Sequence, residues 1–202
     1  DEGPRGQRTK ARLAFLIQEW GVERFRTALE KRWGRPLQRA QRDVRLLDTT
    51  DHLGVHPQKQ PGLFTVGLCI PTGRMTSDQM AELARLAEEY GSGQVRLTTQ
   101  QNAILIGVPE AKVSPLLAEP LLEEFSPEPH PFFRGLVTCT GTDYCNLALI
   151  ETKAIGKRLA ASMAERSSYG QPISIHWSGC PAGCGNHQAA DIGFQGAKAR
   201  VD

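Results

Sequence analysis

Apolar residues recur at helical spacing in the first stretch of the chain and then give way to short strand-like runs. Ala11, Leu13, Phe15, Leu16 and Trp20, then Val22, Phe25, Leu29 and Trp33, follow an amphipathic period over residues 8–33, interrupted at Gly21. Two short helices joined at Gly21 are expected. Residues 34–62 lose this periodicity and contain Pro36, Pro57 and Pro61, the pattern of a linker. The run Leu63-Phe64-Thr65-Val66-Gly67-Leu68-Cys69-Ile70, bounded by Pro61 and Pro71, predicts a strand.

Thr76 with Gln79 three residues on predicts a capping box at the start of a helix. Its expected core face is Met80, Leu83, Ala84 and Ala87, and Gly91 stands where a C-terminal glycine belongs. Strands at 94–99 and 103–108, joined through Gln100-Gln101-Asn102, complete a βαββ pattern. Six prolines in residues 109–134 predict a broken helix and a loop. A second unit opens with a short strand at 135–138. A long helix should follow, capped by Thr142 or Asp143, with Leu147, Ile150, Ala154 and Leu159 facing a core. Strands at 173–177 and 190–196 end the pattern. The fold class expected is α+β: a helical N-terminal segment and linker (1–60), a small α+β unit (61–128), then an α/β unit (129–202).

Composition narrows this reading only slightly. With 202 residues, 40% apolar and 23% charged, the chain can bury one large core or two modest ones. No apolar run reaches bilayer-spanning length and no signal peptide precedes the first helix, so no membrane association is expected. The first residue is Asp1, not Met, and an excerpt of a longer protein is expected. Residues 1–45 hold 12 Lys/Arg and 6 Asp/Glu, a surplus of +6 in a chain whose net charge is +2. Two readings stand: a cationic docking surface for an acidic partner, or a solvated helix face. No aromatic-rich RNA motif or zinc finger accompanies the charge, so nucleic acid is not the expected partner.

The chemistry lies in the cysteines. Five is an odd number, which argues against a fully paired disulfide framework and for reduced thiols of cytoplasmic type. Cys69 sits mid-strand among apolar residues and reads as a buried free thiol. The other four form two pairs, Cys139-x5-Cys145 and Cys180-x3-Cys184. Neither pair has the two-residue gap of a zinc knuckle, and four thiolates brought together by the fold suit an iron–sulfur cluster. A structural zinc site, unliganded thiols or a redox disulfide remain the competing readings. Cys145 is expected in the first helical turn, where N–H groups and the dipole favour thiolate. Gly183 and Gly185 are expected to keep side chains away from Cys184, leaving backbone donors and a large flat group free to approach, while Pro181 fixes the turn after Cys180.

These motifs resemble those of the sirohaem-containing nitrite and sulfite reductases, and most of all the ferredoxin-dependent assimilatory nitrite reductases. The resemblance rests on Cys-Thr-Gly-x-x-x-Cys at 139–145 followed by Ile150-Glu151-Thr152-Lys153, and on Gly179-Cys180-Pro181-x-x-Cys184-Gly185 followed by Ala190-Asp191-Ile192-Gly193-Phe194. His56-Pro57-Gln58-Lys59-Gln60-Pro61-Gly62 and Arg96-Leu97-Thr98-x-x-Gln101-Asn102 resemble the family's ferredoxin-like half-domain. The resemblance implies a half-domain at 61–128 and a truncated sirohaem and cluster domain at 129–202. It implies that Cys139, Cys145, Cys180 and Cys184 hold a [4Fe–4S] cluster, and that Cys184 also bridges to sirohaem as its axial ligand.

Implied with these are nitrite as substrate, ferredoxin as electron donor, a monomeric full-length protein, and a place in the cytoplasm or plastid stroma. Nitrite is favoured over sulfite because Asn146 follows Cys145 and the sequence continues Glu-Thr-Lys at 151–153. A precorrin-pathway relative shares the cluster motif but fits the Gly62–Val66 stretch less well. Outside the family, a non-catalytic four-cysteine metal module with a basic partner-binding arm is the alternative. The family's substrate-binding cations come from a preceding half, so no catalytic residue is assigned here. Arg74 and Arg96 read as surface or propionate-neutralising arginines, His176 as a strand residue, and His187 is left open.

Overall fold

The computed structural model describes residues 6–7, 11–39, 51–171 and 173–198. The helix expected from residue 8 and the linker expected at 34–62 therefore lie partly outside the described residues. The chain divides into two compact units, 1–49 and 50–202.

In the first unit, α1 (Leu13–Trp20) and α2 (Val22–Trp33) meet at Gly21, as the break in periodicity predicts. Gly21 has φ 75° and ψ 160°, a conformation that costs a side-chain-bearing residue dearly. Gly34 closes α2 in the left-handed region at φ 76°. Neither helix contains a fully buried residue. Part of the basic charge lies on aromatic faces: Arg24 sits 4.5 Å over the Trp20 ring and Arg35 4.3 Å over that of Trp33.

The second unit contains two sheets. The first is antiparallel, in the order β1-β2-β4-β3, built from β1 (Gly54–Pro57), β2 (Leu63–Leu68), β3 (Val95–Leu97) and β4 (Ala103–Pro109). Strand β1 corrects the linker reading, and the sheet therefore starts before residue 61. Its four residues carry no buried alternation, so they give no periodic signal. They become a strand by pairing with β2, from Gly54 opposite Gly67 to Pro57 opposite Phe64.

Helix α3 (Ser77–Tyr90) starts at the predicted capping box. Thr76 Oγ1 accepts from the Gln79 amide at 3.2 Å, and Gln79 Oε1 accepts from the Thr76 amide at 2.8 Å. Its buried face is Leu83, Leu86 and Ala87, whereas Met80 is exposed. The helix is rotated from the expected face because that rotation buries Leu86 completely, which removes more apolar surface from water than burying Ala84 would. The proline-rich stretch forms α4 (Glu110–Leu117), α5 (Leu121–Glu124) and α6 (Pro131–Arg134), the broken helix expected. Val66, Leu68, Leu86, Leu105, Val108, Leu116 and Phe125 are sealed together between sheet and helices.

The second sheet is parallel, in the order β5-β6-β7, with β5 (Leu136–Thr138), β6 (Ile175–Ser178) and β7 (Ile192–Gln195). Helix α7 crosses from β5 to β6 but spans Lys153–Arg166, starting about ten residues later than expected. The chain instead makes a short 3-10 turn at Gly141–Asp143 and then a loop. Backbone amides in that loop are used elsewhere: Leu149 N–H donates to Gly179 O at 2.7 Å and Ala148 N–H to Cys145 O at 3.2 Å. Phe132, Leu136, Ala160, Ile175 and Trp177 form this sheet's core, with Phe194 stacked on Trp177 at 4.2 Å between ring centroids.

Candidate metal centre

Each cysteine pair begins just past the C-terminal end of one of two adjacent parallel strands, the end at which open α/β sheets place their ligands. Thr138 pairs with Trp177, so Cys139 leaves β5 beside the point where Ser178, Gly179 and Cys180 leave β6. Cys139 is bonded through nearly every polar atom. Its N–H donates to Trp177 O at 2.9 Å and its carbonyl accepts from Thr152 Oγ1 at 2.7 Å. Its sulfur accepts the N–H of Gly179 at 3.1 Å and that of Gly141 at 3.4 Å. The donors thus come from both cysteine loops, the arrangement that stabilises a thiolate ligand.

The Cys145 loop is tied to the Cys180 loop by Leu149 N–H on Gly179 O. Cys180 is buried, Cys139 and Cys145 are half-buried, and Cys184 is exposed. Among the described residues no three His, Cys, Asp or Glu side chains gather as ligands of a single ion. A four-iron cluster makes a different demand, one cysteine per iron corner, so its ligand sulfurs stand farther apart than those of one ion. Four cysteines on two adjoining loops, with sulfur-directed amides between them, fit that donor set.

Two expectations about this site need correction. Cys145 is not in a helical first turn; it lies just past the 3-10 turn, and its N–H donates back to Gly141 O at 3.2 Å. The glycines beside Cys184 also have another reason. A Cβ on Gly185 would lie 2.0 Å from Trp177 O, so glycine lets the loop fold back onto β6. The Gly185 amide donates to Ser178 Oγ at 3.0 Å, not to a sulfur.

Several side chains that brace the loops escaped sequence reasoning. Ser178, fully buried, has His187 Nδ1 2.8 Å from its hydroxyl. His176 Nδ1 donates to Asn186 O at 3.1 Å from β6, which agrees with its reading as a strand residue. Asp191 accepts from Ser174 N at 2.8 Å and Ser174 Oγ at 2.7 Å, bonds that hold its carboxyl below the usual range. Burial alone would raise the pKa of Glu151, but the helix-starting amides of Ala154 and Ile155, each at 3.0 Å, keep it low. It is Glu151, not Thr142 or Asp143, that caps α7 with its side chain.

A cleft of ≈ 670 Å³ is lined by Arg74, Gln79, Glu124, Asp143, Lys153 and Lys157 among others. None of the four cysteines lines it. Arg74 forms an ion pair with Asp143 at 2.5 Å. Lys153 donates to Thr72 O, and burial followed by the charge of Arg74 pulls its pKa down. Arg96 lies on edge strand β3, opposite Ile104. Cys69 is 2% exposed with its sulfur 3.7 Å from Phe133 O, and burial, then the charge of Asp51, pushes its pKa up to about 12. It is an inert structural thiol.

Comparison with known proteins places these features in context. The family described as "Nitrite/Sulfite reductase ferredoxin-like half domain" matches residues 56–122, the region of the antiparallel sheet. The family described as "Nitrite and sulphite reductase 4Fe-4S domain" matches residues 1–37, a stretch that contains no cysteine. The ferredoxin–nitrite reductase of Synechococcus elongatus is 52% identical over 202 residues, covering 100% of this chain and 40% of that protein. The chloroplastic ferredoxin–nitrite reductase of Zea mays is 48% identical, covering 97% of this chain and 36% of its own length. The solved structure of the Mycobacterium tuberculosis NirA protein matches with a TM-score of 0.79 at 32% identity, over 100% of this chain and 38% of that one. The chain therefore spans about two-fifths of the length of the curated relatives it matches.

Proposed function

We propose that this chain, as one of the nitrite and sulfite reductase family, forms part of a ferredoxin-dependent nitrite reductase that reduces nitrite to ammonia with six electrons. The observation that carries this reading is the meeting of the two cysteine loops at the ends of β5 and β6, with amides from both loops on one sulfur. Cys139, Cys145, Cys180 and Cys184 would hold a [4Fe–4S] cluster, and Cys184, the exposed member, would also ligate sirohaem. Bound there, the coupled pair would supply one-electron transfer and a haem iron able to bind an anion.

The chain's own residues have the task of presentation. Gly141 and Gly179 donate to the Cys139 sulfur, Thr152 fixes its carbonyl, and the close turn at Gly185 sets the loop that carries Cys184. Ferredoxin is the proposed donor, and the cytoplasm or plastid stroma the proposed place. Among the described residues no helix is long and apolar enough to cross a membrane. The full-length protein is proposed to act as a monomer.

Anaerobic iron and acid-labile sulfide analysis of the holoprotein, with an absorption spectrum, tests the centre. The expected result is four-iron stoichiometry with one additional haem iron, and turnover of nitrite in preference to sulfite with reduced ferredoxin. Zinc without sulfide or a visible band would overturn the proposal, and preferential sulfite turnover would overturn the choice of substrate.

A further inference from the structure

β5 is an outer strand of its sheet, so alternate residues turn their backbone polar groups away from β6. Cys139 bonds inward to β6, and Thr138 faces the open edge. Thr138 is 0% exposed, so its outward N–H and C=O have no water to bond. The side chain of Gln101 takes both. Gln101 Nε2 donates to Thr138 O at 2.6 Å, and Gln101 Oε1 accepts from Thr138 N at 3.2 Å. One amide group thus does the work of a missing neighbouring strand, one residue before the first cysteine.

The turn that carries Gln101 is built to deliver this amide. Gln101 holds φ at +66°, a conformation that few residues other than glycine adopt without strain. Its N–H donates to Thr98 O at 3.1 Å, and Asn102 accepts from the Ile70 amide at 3.0 Å, which fixes the turn to the end of β2. Opposite it, a Cβ on Gly73 would come within 2.7 Å of Gln101 Cβ. Backbone strain at Gln101 and a bare backbone at Gly73 are maintained together, and their joint result is the clamp on Thr138.

We propose that Gln101 is a positioning residue for the metal centre: by clamping Thr138 from the antiparallel sheet it sets where Cys139 presents its sulfur. The proposal rests on the reading of the four cysteines as [4Fe–4S] ligands. Gln101 acts through Thr138, and its substitution should change the cluster's environment more than the stability of the fold.

The test uses the holoprotein with two variants. Gln101→Ala removes both bonds. Gln101→Glu fills the same volume and keeps the acceptor, but sets a carboxylate oxygen against the Thr138 carbonyl, so it separates clamping from packing. Two readouts are the electron paramagnetic resonance spectrum of the dithionite-reduced cluster and the rate of iron release to a chelator. Both variants are expected to shift the spectrum and to release iron about ten-fold faster, the effect of losing one or two buried hydrogen bonds. A wild-type spectrum and wild-type release rate in Gln101→Glu overturn the proposal, whether or not Gln101→Ala folds. Absence of any cluster signal in the wild-type protein overturns the ligand reading on which it rests, an outcome distinct from unchanged variants.

Discussion

The antiparallel sheet and the parallel sheet stand side by side in residues 50–202, yet they are held by different means. Among the described residues, thirteen from Val66 to Phe125 form one sealed cluster around the antiparallel sheet, while five from Phe132 to Trp177 do so around the parallel one. Strands of the parallel sheet are only three or four residues long, and the loops beyond them are correspondingly prominent. In the first region apolar burial fixes the conformation. In the second, order in the loops comes from directed bonds: Thr152 on Cys139, Ser178 on Gly185, Asp191 on Ser174 and Gln101 on Thr138. A group bound by those loops would add its binding energy to the second region.

Substitutions in the two cores test this contrast most directly. Phe125→Ala should destabilise the protein by about 3–5 kcal/mol, measured by chemical denaturation, since Phe125 is 0% exposed in the larger cluster. Phe132→Ala, in the smaller cluster, should cost less; an equal or larger loss would erase the distinction. A smaller effect is expected from Gly156→Ala on α7. A Cβ there would lie 2.9 Å from the Thr138 methyl group, with Leu136 and Trp177 each at 3.6 Å. Alanine is the better helix former by roughly 1 kcal/mol, but overpacking costs about 1–3 kcal/mol. A net loss of thermal stability is expected, and a net gain would mean that this core yields more easily than the close contact implies.

The smallest effect concerns acid. Glu151 and Asp191 both accept backbone amides in the parallel region, and both pKa values are depressed on folding. Depressed carboxylates contribute stability that is complete above their unfolded pKa, about 4, and is lost as pH falls through the lower folded value. Hydrogen exchange at β6 amides should therefore quicken below about pH 4, and Glu151→Gln should flatten that response. Equal acid sensitivity with and without the carboxylate would show that loop bonding contributes little to this region.

The legibility of the chain follows the same division. Strand β2, the capping box at Thr76 and Gln79 and the broken helix after Pro109 were all readable, because periodicity and local chemistry specify them. The buried face of α3 was misread at Met80 and Ala84, since rotation of a helix about its axis is decided by what it packs against. β1 was missed because a short exposed strand exists only through its partner. At the candidate site the cysteine spacing was plain, but the late start of α7 was not. Glu151 starts that helix and the Gly179 carbonyl takes the Leu149 amide, and neither contact leaves a periodic trace. The clamp between Gln101 and Thr138 joins residues 37 apart, beyond the reach of any local pattern.

The return from β6 to β7 has a consequence in the geometry of the chain itself. Parallel neighbours oblige the backbone to travel back along the strand it has just completed, and most chains use a helix for that journey. Here Ile175 stands opposite Ile192 and Ser178 opposite Gln195, so the return covers only about 10 Å, a distance that roughly three extended residues could bridge. Residues 179–191 are far more than the span requires. The surplus projects beyond the strand ends, anchored on both sides by one sheet, and it carries Cys180 and Cys184. The length of that projection matters as much as its residues: an inserted or deleted residue would displace the two sulfurs while both strands stayed in register.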